Sequence, residues 1–150
     1  MNDILNFYRL TDRIASAGQP SVDQFSKIRE AGYSVIVNLA MSDAMNAVPD
    51  EEKTIRSLGL TYVHIPVPFD APNASHVKAF FGVMDAFRNE KVLVHCALNL
   101  RVSAFLYLYL TLRENIAPDK ATTPFLTDWR PKMEKAWQDI INLTGRDLGQ

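Results

Sequence analysis

The chain has 150 residues, of which 47% are hydrophobic and 22% charged, with a formal net charge of −1 and one cysteine. That length and composition imply one folded domain over residues 1–150, burying roughly two-thirds of its unfolded surface, and exclude disordered, collagen-like and disulfide-rich classes. The balanced charge gives no basic field for a nucleic acid or an acidic membrane. No apolar run approaches the ~20 residues of a bilayer span, residues 1–10 lack the pattern of a secretory leader, and the expected location is the cytoplasm. A lone cysteine excludes an internal disulfide and a Cys-rich metal cage.

Ser21-Val22-Asp23-Gln24 has the form of a capping box, so Val22, Phe25 and Ile28 are expected on one face of a helix ending at Gly32. Residues 33–39 follow, and Val35-Ile36-Val37 is the short β-branched run of a buried parallel strand. A second helix begins at Pro49-Asp50-Glu51-Glu52 and closes at Gly59. Residues 61–67 then read as a strand whose Pro66 and the following Pro68 belong at a sheet margin.

Asn73 or Ser75 caps a third helix to about residue 88, with Val77, Phe80, Phe81, Met84 and Phe87 at helical spacing, before a strand over residues 91–95. Residues 101–113 are apolar almost all round, as in a helix buried at the centre of a domain. After Ala117-Pro118 comes a less regular stretch, then an amphipathic helix from about Pro131 to Gly145. Repeated strand-helix-strand units predict an α/β fold with a mostly parallel sheet flanked by helices, in three layers, with ligands at the carboxyl ends of the strands.

Cys96 lies at such an end. A strand turning tightly into a helix leaves the N–H groups of the turn without intrahelical partners, so the amides of Ala97, Leu98, Asn99, Leu100 and Arg101 form a cradle for an oxyanion. The helix dipole favours negative charge there. The Arg101 guanidinium, in the first helical turn, matches two oxygens of a phosphate or sulfur oxyanion. An arginine so near a buried strand end calls for an anionic partner. An ordinary thiol is only about 3% ionised at pH 7, and ~2 kcal/mol from the helix end and one guanidinium raises the thiolate-to-thiol ratio about thirtyfold. The alternative is a buried core cysteine after an apolar strand.

His95-Cys96-Ala97-Leu98-Asn99-Leu100-Arg101 resembles the His-Cys-loop-Arg signature of cysteine-dependent protein tyrosine and dual-specificity phosphatases. Together with Ala17-Gly18-Gln19-Pro20-Ser21, Val37-Asn38-Leu39 and His64-Ile65-Pro66-Val67, it resembles the bacterial DUF442 group of phosphatase-like proteins over about residues 14–110. The resemblance implies attack of Cys96 on phosphorus, a cysteinyl-phosphate released by water, and binding of the anion by Arg101 and the amides of residues 97–101, without metal or cofactor. It implies as substrate a phosphorylated protein or a small phosphomonoester. Asp70, in Phe69-Asp70-Ala71-Pro72, stands where such enzymes carry the general acid, although Asp before Ala-Pro is also good turn chemistry. His95 is expected to hold the loop from below through its ring nitrogens, or to be a buried structural histidine. His64 and His76 are expected outside catalysis, and Asn38 at a turn or bracing the loop.

The match departs from the phosphatase pattern in several places. Four residues separate Cys96 from Arg101 where the broad class has five, and four is the spacing of rhodanese-like sulfurtransferases, which carry a persulfide. The loop has no glycine, and Asn99 is the residue best able to take its left-handed conformation. Val102 stands where a hydroxyl is expected, with Ser103 one place later as a supporting residue. Leu98 and Leu100 either face the pocket or, as is expected of two leucines beside a buried strand end, pack into the core. Three functions follow: a phosphatase using Cys96, Arg101 and Asp70; a sulfurtransferase leaving Asp70 idle; or a non-catalytic oxyanion-binding module. The apolar helices fit packing within the chain or against a second copy.

Overall fold

The computed structural model describes residues 1–149. Five strands, β1 (Tyr8–Arg9), β2 (Ile14–Ala17), β3 (Val35–Asn38), β4 (Thr61–His64) and β5 (Val92–His95), form one sheet in the order β1-β2-β5-β3-β4. All neighbours are parallel except the β1–β2 pair at one edge. The carboxyl ends of β2, β5, β3 and β4 therefore lie on one side, with Ala17, His95, Asn38 and His64 in one register.

The helices are α1 (Val22–Glu30), α2 (Glu51–Ser57), α3 (Ala74–Ala86), α4 (Leu100–Leu112), α5 (Pro124–Trp129) and α6 (Lys135–Ile141). Period-two alternation sorts the strands into two cores. Ile14, Val35, Val37, Val92 and Val94 face α3 to α6, while Ala15, Ala17, Ile36 and Leu93 face Phe25 and Ile28 of α1 and Ile55 of α2. The expected three-layer α/β architecture is thereby realised.

Local chemistry sets the element ends. The Gln24 side-chain oxygen accepts from the Ser21 N–H at 2.9 Å, completing the predicted capping box, and Gly32 takes φ 96° beyond the end of α1. Val22 departs from the expected apolar face. It opens the helix, beyond the reach of the sheet, and is 50% exposed, while Phe25 and Ile28 are fully buried. Asn73, not Ser75, caps α3, its side chain accepting from the N–H groups of Ser75 and His76. Strand β4 sits at the sheet edge and ends at His64, before either proline.

Helix α4 is central as expected, with nine buried residues from Arg101 to Leu110. Two regions differ from the sequence reading. β2 was not anticipated, because Ile-Ala-Ser-Ala lacks a β-branched run; small residues suit it since α1 and the N-terminal segment press close against it. The single helix expected from about Pro131 to Gly145 is shorter than expected, and the stretch before it holds a further helix. Thr123 caps α5 by accepting from Leu126 N–H, Pro131 lies in a 3-10 turn, and α6 runs only from Lys135 to Ile141.

Candidate active site

Strand β5 delivers Cys96 to the carboxyl edge of the sheet, where its N–H donates to the Ala17 carbonyl at 3.3 Å and its side chain is almost fully buried. The chain then turns through Ala97, Leu98 and Asn99 into α4. Among the described residues, the N–H groups of Ala97, Leu98 and Asn99 donate to no protein acceptor, and those of Leu100 and Arg101 belong to the open first turn of the helix. The outward carbonyls are occupied instead. Ala97 accepts from the Gln19 N–H at 3.0 Å and from Asn46 Nδ2 at 3.1 Å, and Leu98 accepts from Asn6 Nδ2 at 3.0 Å. A loop with its carbonyls tied back and its amides free has the donors with which an anion can be cradled.

Asn99 is what makes this turn possible. Its φ of 68° is left-handed, the conformation expected of it in place of glycine. Its side chain adds what glycine cannot. Nδ2 donates to the Asn6 carbonyl at 2.8 Å and to Ser16 Oγ at 3.0 Å, and Oδ1 accepts from Ser103 Oγ at 3.1 Å. Ser103 is fully buried and pairs with Thr123 Oγ1 at 2.7 Å, so it supports the loop through Asn99. Gly18 lines the same seam: a Cβ there would stand 2.8 Å from the Ala97 carbonyl oxygen, a backbone atom, which explains the absence of a side chain.

Arg101 is 7% exposed and has no carboxylate within ion-pair distance among the described residues. Its partner is neither of the expected kind nor absent: Nη1 donates to the Val67 carbonyl at 2.9 Å, and the guanidinium lies 5.8 Å from the Phe69 ring centroid. A carbonyl and a ring face orient the cation without neutralising it. Nε and Nη2 have no protein acceptor among the described residues and are the donors left for an anion.

The same contacts dock the loop of Asp70. The Phe69 ring stacks on Trp129 and lies tilted against Trp137, each 5.7 Å away, the Phe69 carbonyl accepts from Trp137 Nε1 at 2.7 Å, and the Ala71 N–H donates to the Pro68 carbonyl at 3.2 Å. Asp70 itself is exposed in that turn, its carboxylate hydrogen-bonded to no described residue. Leu98 is a correction: at 52% exposure it faces outward, while Leu100 packs against the main core as expected. Asn38 takes the turn role, accepting from Ala40 N–H at 2.8 Å and donating to the Tyr62 hydroxyl at 3.0 Å. His64 contacts the Ala40 carbonyl at 2.7 Å and His76 accepts the Asn73 N–H at 3.2 Å.

His95 lies under the loop, fully buried, with Nδ1 3.1 Å from the Cys96 carbonyl oxygen and Nε2 2.7 Å from Glu51 Oε2. Glu51 is a residue that sequence reasoning missed. At the start of α2 it looked like an ordinary first-turn acid, yet it is 7% exposed and its Oε1 accepts from Gln19 Nε2 at 2.6 Å. Burial by itself raises the Glu51 carboxyl, but hydrogen bonding and charge from His95, with Gln19 and Tyr62, hold it below its ordinary value. Burial above all, with the nearby Glu51 carboxylate, pushes the Tyr62 phenol well up. A cleft of about 500 Å³ opens on this side, lined by Gln19, Asn38, Glu51, Tyr62 and His64 among others.

Among the described residues no cluster of three His, Cys, Asp or Glu side chains is arranged to hold a metal, and no helix is long and apolar enough to cross a membrane.

A family model described as a DSP-PTPase phosphatase fused to NAD+ kinase matches residues 8–128. A crystal structure of a candidate phosphatase (DUF442) from Shewanella putrefaciens CN-32 superposes with a TM-score of 0.85 at 34% identity, covering 93% of this chain and 91% of that one. The chain therefore belongs to this family of dual-specificity and tyrosine phosphatase-like proteins, the DUF442 group. Tk-PTP in its active form, at 17% identity and a TM-score of 0.74, covers 97% of each chain, and shares the fold. So does Pseudomonas aeruginosa TpbA in complex with phosphotyrosine, at 13% identity and 0.73, covering 95% of this chain and 86% of that one. A β-lactamase hydrolase-like protein of Xylella fastidiosa is 31% identical over 90 residues, a match covering 58% of this chain and 21% of that protein's length.

Proposed function

We propose that the protein is a cysteine-dependent phosphatase that hydrolyses a phosphomonoester through a cysteinyl-phosphate on Cys96. The observation that carries this reading is a buried Arg101 without a carboxylate partner, in the first turn of a helix whose preceding amides are free and converge beyond a buried cysteine. Neither group is needed for a core packed only for stability, because a buried guanidinium without an anion is costly.

In the proposed cycle the Cys96 thiolate attacks phosphorus while the amides of residues 97–101 and the free Arg101 donors hold the non-bridging oxygens. Asp70 protonates the leaving oxygen from the neighbouring loop, and water then releases phosphate. Phosphorylated protein and small phosphomonoester are both substrates of the required chemistry, and the phosphotyrosine bound to TpbA is of this class.

The test is hydrolysis of a chromogenic aryl phosphate from pH 5 to 8 in excess reductant. Turnover in the parent with a loss of at least about 10³-fold in Cys96→Ser is expected. An inactive parent overturns the reading. The four-residue spacing between Cys96 and Arg101 favours a second reading, sulfur transfer through a Cys96 persulfide. Transfer from thiosulfate to cyanide by a parent inactive on aryl phosphate is the outcome that selects it, and anion binding without either turnover selects a binding module.

A further inference from the structure

Both ring nitrogens of His95 face acceptors. The Cys96 carbonyl, 3.1 Å from Nδ1, can only accept, and Glu51 Oε2 stands 2.7 Å from Nε2. A neutral imidazole has one ring proton, so one contact would set lone pair against lone pair unless the carboxyl itself were protonated. The environment of Glu51 argues against a protonated carboxyl: its other oxygen already accepts from Gln19 at 2.6 Å, and its partners favour the ionised form.

We propose that Glu51 is a positioning residue for the Cys96 nucleophile, holding His95 as an imidazolium whose Nδ1–H donates to the Cys96 carbonyl beneath the anion loop. The role of Cys96 as nucleophile rests on the phosphatase reading; the buried ion pair does not. With no exposed surface, the His95 ring has no solvent to support a charge, and the carboxylate substitutes for it. The order of charges matters. The imidazolium touches the backbone of Cys96, while the carboxylate lies across the ring on α2, so the nearer charge at the thiol is positive. Other ionisable groups on the same cleft are Tyr62, kept protonated, and His64 from β4, with Asp50, Glu52 and Lys53 at the start of α2.

Nitrogen-15 spectra of histidine-labelled protein, with His64→Gln and His76→Gln variants assigning the signals, read the His95 ring directly. The expected result at pH 7 is two protonated ring nitrogens; a neutral ring in the parent overturns the proposal whatever any variant does. Glu51→Gln preserves shape and can donate its amide to Nε2, leaving Nδ1–H in place but removing the charge. Since Cys96 is the only thiol, iodoacetamide reports it alone. Alkylation at pH 6 is expected to slow about five- to tenfold in Glu51→Gln, with the rate at pH 9 unchanged. Equal rates at every pH overturn the proposal, and if the variant does not fold the parent spectrum decides. A charged His95 and a slowed thiol in a protein without aryl phosphate turnover would remove the phosphatase reading and leave the positioning role standing.

Discussion

The loop of Cys96 and the loop of Asp70 both leave the carboxyl ends of parallel strands, and they are held in opposite ways. Around Cys96 the backbone carbonyls are tied by groups distant in sequence, Asn6, Gln19 and Asn46, and by the adjacent His95 ring, while Ser16 holds the Asn99 side chain. Around Asp70 the bonds fall on the flanking carbonyls of Val67 and Phe69 and on the aromatic ring between them, while the carboxylate has no partner among the described residues. A group of amides that must meet one anion gains from being fixed before the anion arrives. A carboxyl that must reach a variable leaving oxygen gains from a supported loop and a free side chain.

The sharpest way to break this comparison is Asp70→Asn. If the Asp70 loop serves only to present an acid, kcat for an aryl phosphate with a poor leaving group should fall about 10²-fold, with the unfolding midpoint in urea unchanged within error. The loss should shrink as the leaving group becomes more acidic, because less protonation is then needed. Unchanged turnover for every leaving group would make Asp70 a turn residue and remove the contrast.

The fixed loop makes the next prediction. Asn99→Ala places at φ 68° a residue that lacks asparagine's tolerance of the left-handed region and removes three side-chain hydrogen bonds in a buried setting, which together should lower stability by about 2–4 kcal/mol in urea denaturation. Asn99→Gly relieves the backbone part alone and should recover about 1 kcal/mol of that loss. If the two variants are equally stable, the side-chain bonds dominate the turn and its left-handed geometry carries little.

That pair of variants also marks where the sequence was readable. The positions of Cys96, Arg101 and Asn99, the alternation of strand and helix, and the central burial of α4 follow from local pattern: apolar periodicity, a strand running into a helix, and one residue type able to replace glycine. Glu51 could not be found this way. Its identity as a buried partner of His95 depends on β3 and β5 being neighbours and on α2 covering their carboxyl ends, contacts separated by 44 residues. The β2 strand was hidden for a related reason, since small residues signal a strand only once the elements crowding them are known. The C-terminal stretch shows a third case, in which Thr123 caps the unforeseen α5 and Pro131 sits in the 3-10 turn before a shortened α6, ends that a coarse apolar period does not resolve. Val22 and Leu98 were apolar positions read as buried that the packing leaves outside.

Leu98 offers the smallest effect and the finest test of the fixed loop. Its carbonyl is tied to Asn6 while its side chain is 52% exposed, so Leu98→Ser should change stability by less than about 0.5 kcal/mol. On the proposed phosphatase cycle, a side chain exposed on the loop would meet the organic part of a substrate rather than the phosphoryl group. KM for an aryl phosphate should then rise about two- to fivefold at constant kcat, the sign of lost uniform binding, while inhibition by inorganic phosphate stays the same. A stability loss above about 1 kcal/mol would mean that Leu98 packs after all. A fall in kcat with KM unchanged would mean that the side chain, and not only the tied carbonyls, shapes the amides of the cradle.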